Sequence, residues 1–155
     1  MSVRFAEEWE LERINELRKQ VNDLHVAGKR EVFKPGFSDK LKNHIYAIWE
    51  DPDQQILVAE RNDCIVGFAI LHHIVRPENV FRYEMDFLDI DEFGVDEAYR
   101  RQGVAGNMIE FIRQYAKEKG FRRIELNMWE FNESALAFYE AMGFSTYRRY
   151  MEMLL

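Results

Sequence analysis

Residues 84 to 106 read EMDFLDIDEFGVDEAYRRQGVAG, and residues 132 to 144 read NESALAFYEAMGF. The first stretch begins as a strand, with apolar residues set among acids, and ends as the opening turn of a helix. At the junction Gly103 and Gly106 begin the helical pattern, and Arg100 and Arg101 precede them. A helix N-terminus offers four unpaired N–H groups and the positive end of the macrodipole. Glycines let a phosphate come close to the backbone, so the junction is a ready anion site. No G-K-[ST] follows and the spacing is not G-x-G-x-x-G, which excludes a Walker loop and a dinucleotide fingerprint. On this stretch alone, an ordinary βα turn with surface arginines is the competing reading.

The charge pattern sharpens the boundary. The chain has 155 residues, 28 acids and 21 bases, a formal net charge of −7. Residues 84 to 97 hold seven acids and no base, so the rest of the chain is balanced. The sign reverses at Arg100. An acid excess argues against nucleic acid as a partner, because that binding needs Lys and Arg on phosphates. At 47% hydrophobic, a chain of this length is expected to fold as one domain over 1–155 with a real core. MSVRFAEEWE contains no apolar signal region, and the longest apolar run, Ile65 to Leu71, is far below the roughly 20 residues of a membrane helix. No membrane partner is expected. A single cysteine, Cys64, excludes an intramolecular disulfide and fits a reducing, cytoplasmic location. One Cys and four scattered or adjacent His residues give no zinc spacing, so no metal is expected. None of the four serines lies in a G-x-S-x-G elbow, and no base flanks Cys64.

Outward from the quoted stretches, the elements follow in order. Val3 to Phe5 reads as a short strand. Ile14, Leu17, Val21 and Leu24 mark an amphipathic helix that ends near Gly28. Ser38 caps a second helix carrying Leu41, Ile45 and Ile48. Gln55 to Glu60 and Cys64 to His73 are strands around an Arg61-Asn62-Asp63 turn, and Val80 to Val95 is a long third strand. Gly103 to Lys119 is a helix, Ile124 to Met128 a half-buried strand, and Ser134 to Met142 a short helix stopped by Gly143. Phe144 to Leu154 is β-rich, as one strand or two, and such a tail can pair across a homodimer.

Arg100-x-x-Gly103-x-Ala105, followed by Asn132-x-x-Ala135-x-x-Phe138-Tyr139-Glu140-x-x-Gly143-Phe144, resembles the GNAT superfamily of acetyl-CoA-dependent N-acetyltransferases. The resemblance is clear over 85 to 145 and rests on element order before that. It implies an α/β (mixed α+β) fold: a mostly antiparallel mixed sheet of six to seven strands, flanked by about four helices and splayed between strands 4 and 5. Acetyl-CoA, as cosubstrate, would enter the splay. Backbone groups of Phe93, Gly94 and Val95 would pair with the pantetheine arm as an added strand does. N–H groups of Arg101, Gln102, Gly103, Val104, Ala105 and Gly106 would hold the pyrophosphate, with Arg100 or Arg101 adding charge. Asn132, with Ala135 in the same motif, would bond the pantetheine arm, and Tyr139 would lie near the thioester sulfur.

The chemistry then sets requirements. A lysine-like amine has a pKa of about 10.4, so a base must take its proton. A strand carboxylate acting through water suits this role. Counting back from Val95, the family's usual base falls on Asp89, with Asp91 next. A bulge in this strand would exchange its faces and bring in Glu92. A backbone N–H near Val95 would stabilise the carbonyl oxygen during attack. A tyrosine with a reference pKa of about 10 transfers its proton to a thiolate of about 8.5 only uphill, so Tyr139 is a hydrogen-bond donor to the leaving thiol. The competing reading of Tyr139 is a core aromatic. The expected function is direct acetyl transfer to a primary amine of a small molecule, polyamine or protein, and the acidic strand favours a cationic acceptor. The alternative is a non-catalytic acyl-CoA-binding module.

Overall fold

The computed structural model describes residues 1 to 155. Its sheet has the order β1-β2-β3-β4-β5, with β1 (Ser2–Phe5), β2 (Gln54–Arg61), β3 (Cys64–Arg76), β4 (Met85–Val95) and β5 (Ile124–Leu126). The first four strands pair antiparallel and β5 joins β4 in parallel. Helices α1 (Leu11–Gly28) and α2 (Asp39–Glu50) follow β1, α3 (Val104–Glu118) links β4 to β5, and α4 (Glu133–Ala141) follows β5.

β2 and β3 are apolar at consecutive positions because both faces of the sheet are covered. Ile56, Val58, Phe68 and Ile70 pack under α1 and α2 with Leu11, Ile14, Leu17, Ile45 and Ile48. The alternate residues Leu57, Ala59, Ala69 and Leu71 meet Val104, Met108, Ile109 and Ile112 of α3 on the other face. The β2–β3 hairpin turns through Asn62 and Asp63 at φ 53° and 59°, the left-handed pair that Asn and Asp tolerate best after Gly. Ser38 Oγ accepts the Leu41 N–H at 3.3 Å and starts α2.

Two expectations are corrected. The sheet has five strands, not six or seven, because residues 144 to 155 join no ladder. That tail is strand-like in composition, but Tyr150, Met151, Met153 and Leu154 face solvent. It is tied down by side chains instead: Tyr147 Oη donates to Glu125 Oε2 at 2.8 Å, and Lys29 Nζ pairs with Glu152 at 3.0 Å. The third hairpin strand begins at Met85 rather than Val80. Asn79 closes a tight loop by accepting the Phe81 N–H on its side chain and exchanging backbone bonds with Arg82, which leaves Val80, Phe81 and Tyr83 exposed.

Candidate active site

The site originates in a register change in β4. Ile70 pairs with Glu92 but Leu71 pairs with Ile90, so Asp91 is an extra residue, a bulge. The side chains exchange faces across it. Leu88 and Ile90 belong to the α3 face before the bulge, and Phe93 and Val95 lie against that face after it. Asp89 and Glu92 consequently share the α1–α2 face, which simple alternation would not allow.

The splay begins at the same place. β5 pairs with Leu88, Asp89 and Ile90 and then stops. Beyond Ile90, β4 has a neighbour only on the β3 side. The Asp96 N–H donates to the Val66 carbonyl at 2.8 Å. Antiparallel alternation therefore points the backbone groups of Glu92 and Gly94 at β3 and those of Phe93 and Val95 into the gap. Gly94 is small for a packing reason: a Cβ there would lie 2.7 Å from both Phe68 Cε1 and Val21 Cγ2.

Past Val95 the chain makes one 3-10 turn (Glu97–Tyr99) and reaches α3 through two left-handed residues, Arg101 at φ 59° and Gly103 at φ 82°. None of the N–H groups of residues 101 to 106 finds an acceptor within the protein. Nothing lies within 4 Å of a Cβ built on Gly106. The Arg100 guanidinium folds back, Nε donating to the Val95 carbonyl at 3.1 Å. Both arginines are exposed beside this cradle, and Arg100 is the one held by a hydrogen bond. Gln102 is fixed by Arg61 Nη1, which donates to its Oε1 at 2.8 Å.

After β5, Asn132 caps α4: its Oδ1 accepts the Ala135 N–H at 3.2 Å and the Ser134 hydroxyl at 3.1 Å. That leaves the Asn132 amide nitrogen as the donor. Tyr139 packs edge-on to Phe93 at 6.3 Å and to Phe144 at 5.6 Å. Burial pushes its pKa up to about 12, so it holds its proton at any physiological pH. Its ring is a packed aromatic against Phe93 on the unpaired end of β4.

The three candidate carboxylates differ sharply. Asp89 is 8% exposed. Burial first, then the charges of Asp91 and Glu125, push its pKa up to about 6. Asp91 is exposed by surface area, yet enough protein surrounds its carboxyl to raise its pKa, with Glu92 adding to the rise. Glu92 is gripped by Arg18, Nε to Oε2 at 2.8 Å and Nη2 to Oε1 at 2.7 Å. Sequence reasoning missed Arg18, although a base at position i+4 from Ile14 on the apolar stripe of α1 was a visible signal. His25 and Trp129 stand out in the sequence one by one, but the aromatic wall they form does not. His25 stacks on Phe33 at 5.0 Å, Phe33 meets Trp129 at 5.1 Å, and Phe131 lies over Gly28, where a Cβ would come within 2.2 Å of its ring. These residues come from three separate segments, so no local pattern announces them. Burial lowers the His25 pKa against the pull of Glu92.

A sheet that opens beside a helix N-terminus lined with free amides is the framework of a protein that takes an extended, phosphate-bearing cosubstrate between two strands. Residues 13–144 match the model of the acetyltransferase (GNAT) family, and the chain belongs to that family. It is 27% identical over 122 residues to an L-ornithine N5-acetyltransferase of Arabidopsis thaliana, covering 77% of this chain and 52% of that protein. The chain thus spans about half the length of that relative. Its fold matches a tetramutant of the BH1408 protein of Bacillus halodurans with a TM-score of 0.94 at 24% identity, over 100% of both chains. It matches the aminoglycoside N-acetyltransferase AAC(6')-Iy, solved with CoA, with a TM-score of 0.76 at 20% identity, over 99% of this chain and 93% of that one. No helix is long and apolar enough to cross a membrane.

Proposed function

We propose that this chain, as a single domain, is an acetyl-CoA-dependent N-acetyltransferase that acetylates a cationic primary amine in the cytoplasm. The observation that carries the reading is the arrangement around residue 90. The strand pairing ends there, and a buried carboxylate without a protein partner stands beside the gap. The names of the relatives support an amine of this kind, ornithine in one and aminoglycosides in another.

Acetyl-CoA fits on two features of this chain. The open edge at Phe93 and Val95 can pair with an amide-bearing arm, and the free N–H groups of 101 to 106 suit a pyrophosphate. Arg101 adds charge to that cradle, and the Asn132 amide can donate to the arm. When bound, the cosubstrate supplies an acyl group already activated as a thioester, so the protein needs no nucleophile of its own.

Asp89 then takes the proton of the incoming ammonium, directly or through one water. A base with a pKa near 6 is ionised at neutral pH and more basic than an ordinary aspartate. A backbone N–H at the open edge near Val95 stabilises the carbonyl oxygen as it gains charge. Tyr139 donates a hydrogen bond to the departing sulfur. Its pKa of about 12 makes full proton transfer to a thiolate uphill by roughly 3.5 units, so it polarises rather than protonates. Asp91, at the bulge, draws the cation toward the gap.

The test is free-thiol release from acetyl-CoA in the presence of an amine panel, read alongside CoA binding by thermal shift. Amine-stimulated release supports the reading. CoA binding without release under any amine points to the acyl-CoA-binding module, and no CoA binding overturns both.

A further inference from the structure

The α1–α2 face of the sheet changes character beyond Ile70. Phe68 and Ile70 belong to the apolar core on this face, and two residues further along β3 stands the half-buried His72. The ladders pair Gln54 with His72, His72 with Asp89, and Asp89 with Glu125. Directly paired residues put their side chains on one face, with Cβ atoms about 5 Å apart. A polar row therefore crosses β2, β3, β4 and β5 just before the sheet splays. The proposed reaction uses only Asp89 from this row.

Asp89 is nine-tenths buried, and its carboxylate accepts no hydrogen bond from the protein. Support for its charge has to come from nearby cations. Asp91 and Glu125 repel it, while His72 and, after it, Arg76 attract it. Arg76 lies four residues along β3 with its guanidinium over the Phe87 ring at 4.8 Å, so the directly paired cation is His72. Glu125 is engaged by Tyr147 and Arg123. On the other side of His72, Gln54 Nε2 donates to Asp51 Oδ2 at 2.8 Å at the end of α2, and Asp51 also feels the imidazole. Asp91 feels it too, ahead of His44 from α2 and Arg18 from α1. One imidazole thus stands among three aspartates, two from β4 and one from the end of α2.

We propose that His72 is the positioning residue of Asp89: as an imidazolium it keeps the paired carboxylate ionised, so that the base stays ready for the ammonium when the surroundings turn mildly acidic. The proposal rests on the acetyltransferase reading and deepens it, with Asp89 meeting the substrate and His72 acting through Asp89. Histidine is the side chain whose charge ordinarily changes between pH 5 and 8. A fixed cation in its place would hold Asp89 ionised at every pH but weaken it as a base. An uncharged residue would let Asp89 take up a proton early. An imidazole gains its charge only as the pH falls, which is when the carboxylate needs it.

The test follows kcat/KM for amine-stimulated thiol release against pH in the wild-type chain, His72→Gln and His72→Lys. A nearby positive charge favours the ionised carboxylate. The acid limb should therefore move up by about half to one pH unit in His72→Gln and down by about one in His72→Lys. A side chain that merely packs would alter rate or Tm in both variants without moving the limb in opposite directions. If His72→Lys does not fold, the upward move in His72→Gln carries the test alone. A limb unmoved in His72→Gln, or moved the same way in both variants, overturns this proposal alone. A limb that survives Asp89→Asn overturns the assignment of the base, and absence of release with every amine overturns the acetyltransferase reading. Either of these takes the proposal with it.

Discussion

Arg18 holds Glu92 in a two-pronged pair across 74 residues of sequence, Nε to Oε2 at 2.8 Å and Nη2 to Oε1 at 2.7 Å. The guanidinium is buried and also bonds Asn15 and the Leu41 carbonyl. It therefore ties α1, the start of α2 and the bulged end of β4 together. A carboxylate committed in this way is a poor base, which is why the proposed proton-accepting role goes to Asp89.

Glu92→Gln tests that division. The variant should turn over amines at a rate within about threefold of wild type, while losing about 1–3 kcal/mol of stability with the charged hydrogen bonds. Thermal melts and thiol-release kinetics read both. A collapse of kcat with an unchanged Tm would place the base on Glu92.

Asp89 carries a stability penalty as well as its proposed role. Its folded pKa lies above its unfolded value, so the native state holds the proton more tightly. Stability tied to this group is fully present at pH values below about 4 and is lost as pH rises toward about 6. Asp89→Asn should therefore raise Tm at pH 8, by the effect of something on the order of 2 kcal/mol, and bring no gain at pH 4. Activity at pH 8 should fall at least about a hundredfold, the usual range for a lost general base. A variant that is both inactive and less stable at pH 8 contradicts the assignment.

Tyr139→Phe removes a hydroxyl but keeps the ring against Phe93 and Phe144. CoA binding and Tm should change little. The chemical step should slow by about 10- to 100-fold, the worth of one hydrogen bond to developing charge. Unchanged single-turnover rates would leave Tyr139 as packing alone.

Gly94→Ala places a methyl 2.7 Å from Val21 and Phe68, two side chains that cannot both retreat from a filled core. Overpacking of this kind costs about 1–3 kcal/mol, a fall in Tm of roughly 3–10 °C for a domain this size. The same methyl pushes on α1 above the bulge, so KM for the amine should rise with it.

Much of this was legible in the sequence. The helix stripes, the Ser38 cap, the Asn62-Asp63 turn and the glycine-rich start of α3 are local signals, and the structure carries all of them. Of the motif residues, Arg100 folds onto Val95, Tyr139 packs on Phe93, and Gly103 and Asn132 begin α3 and α4. What was hidden is non-local. The bulge at Asp91 is a property of the β3–β4 register, so the strand alone cannot show which carboxylates share a face. The commitment of Glu92 depends on a helix 74 residues away. The tail reads as a strand because its composition is β-rich, and it joins no ladder although β5 pairs on one side only. The row His72–Asp89–Glu125 needs two ladders at once.

The account turns on Asp89 as the group that accepts the amine proton beside the gap. The most direct measurement is the pH dependence of kcat/KM for amine-stimulated thiol release, in the wild-type chain and in Asp89→Asn. The wild type should show an acid limb with an apparent pKa near 6, and the variant should lack that limb at a much lower rate. The same limb persisting in Asp89→Asn would contradict the assignment.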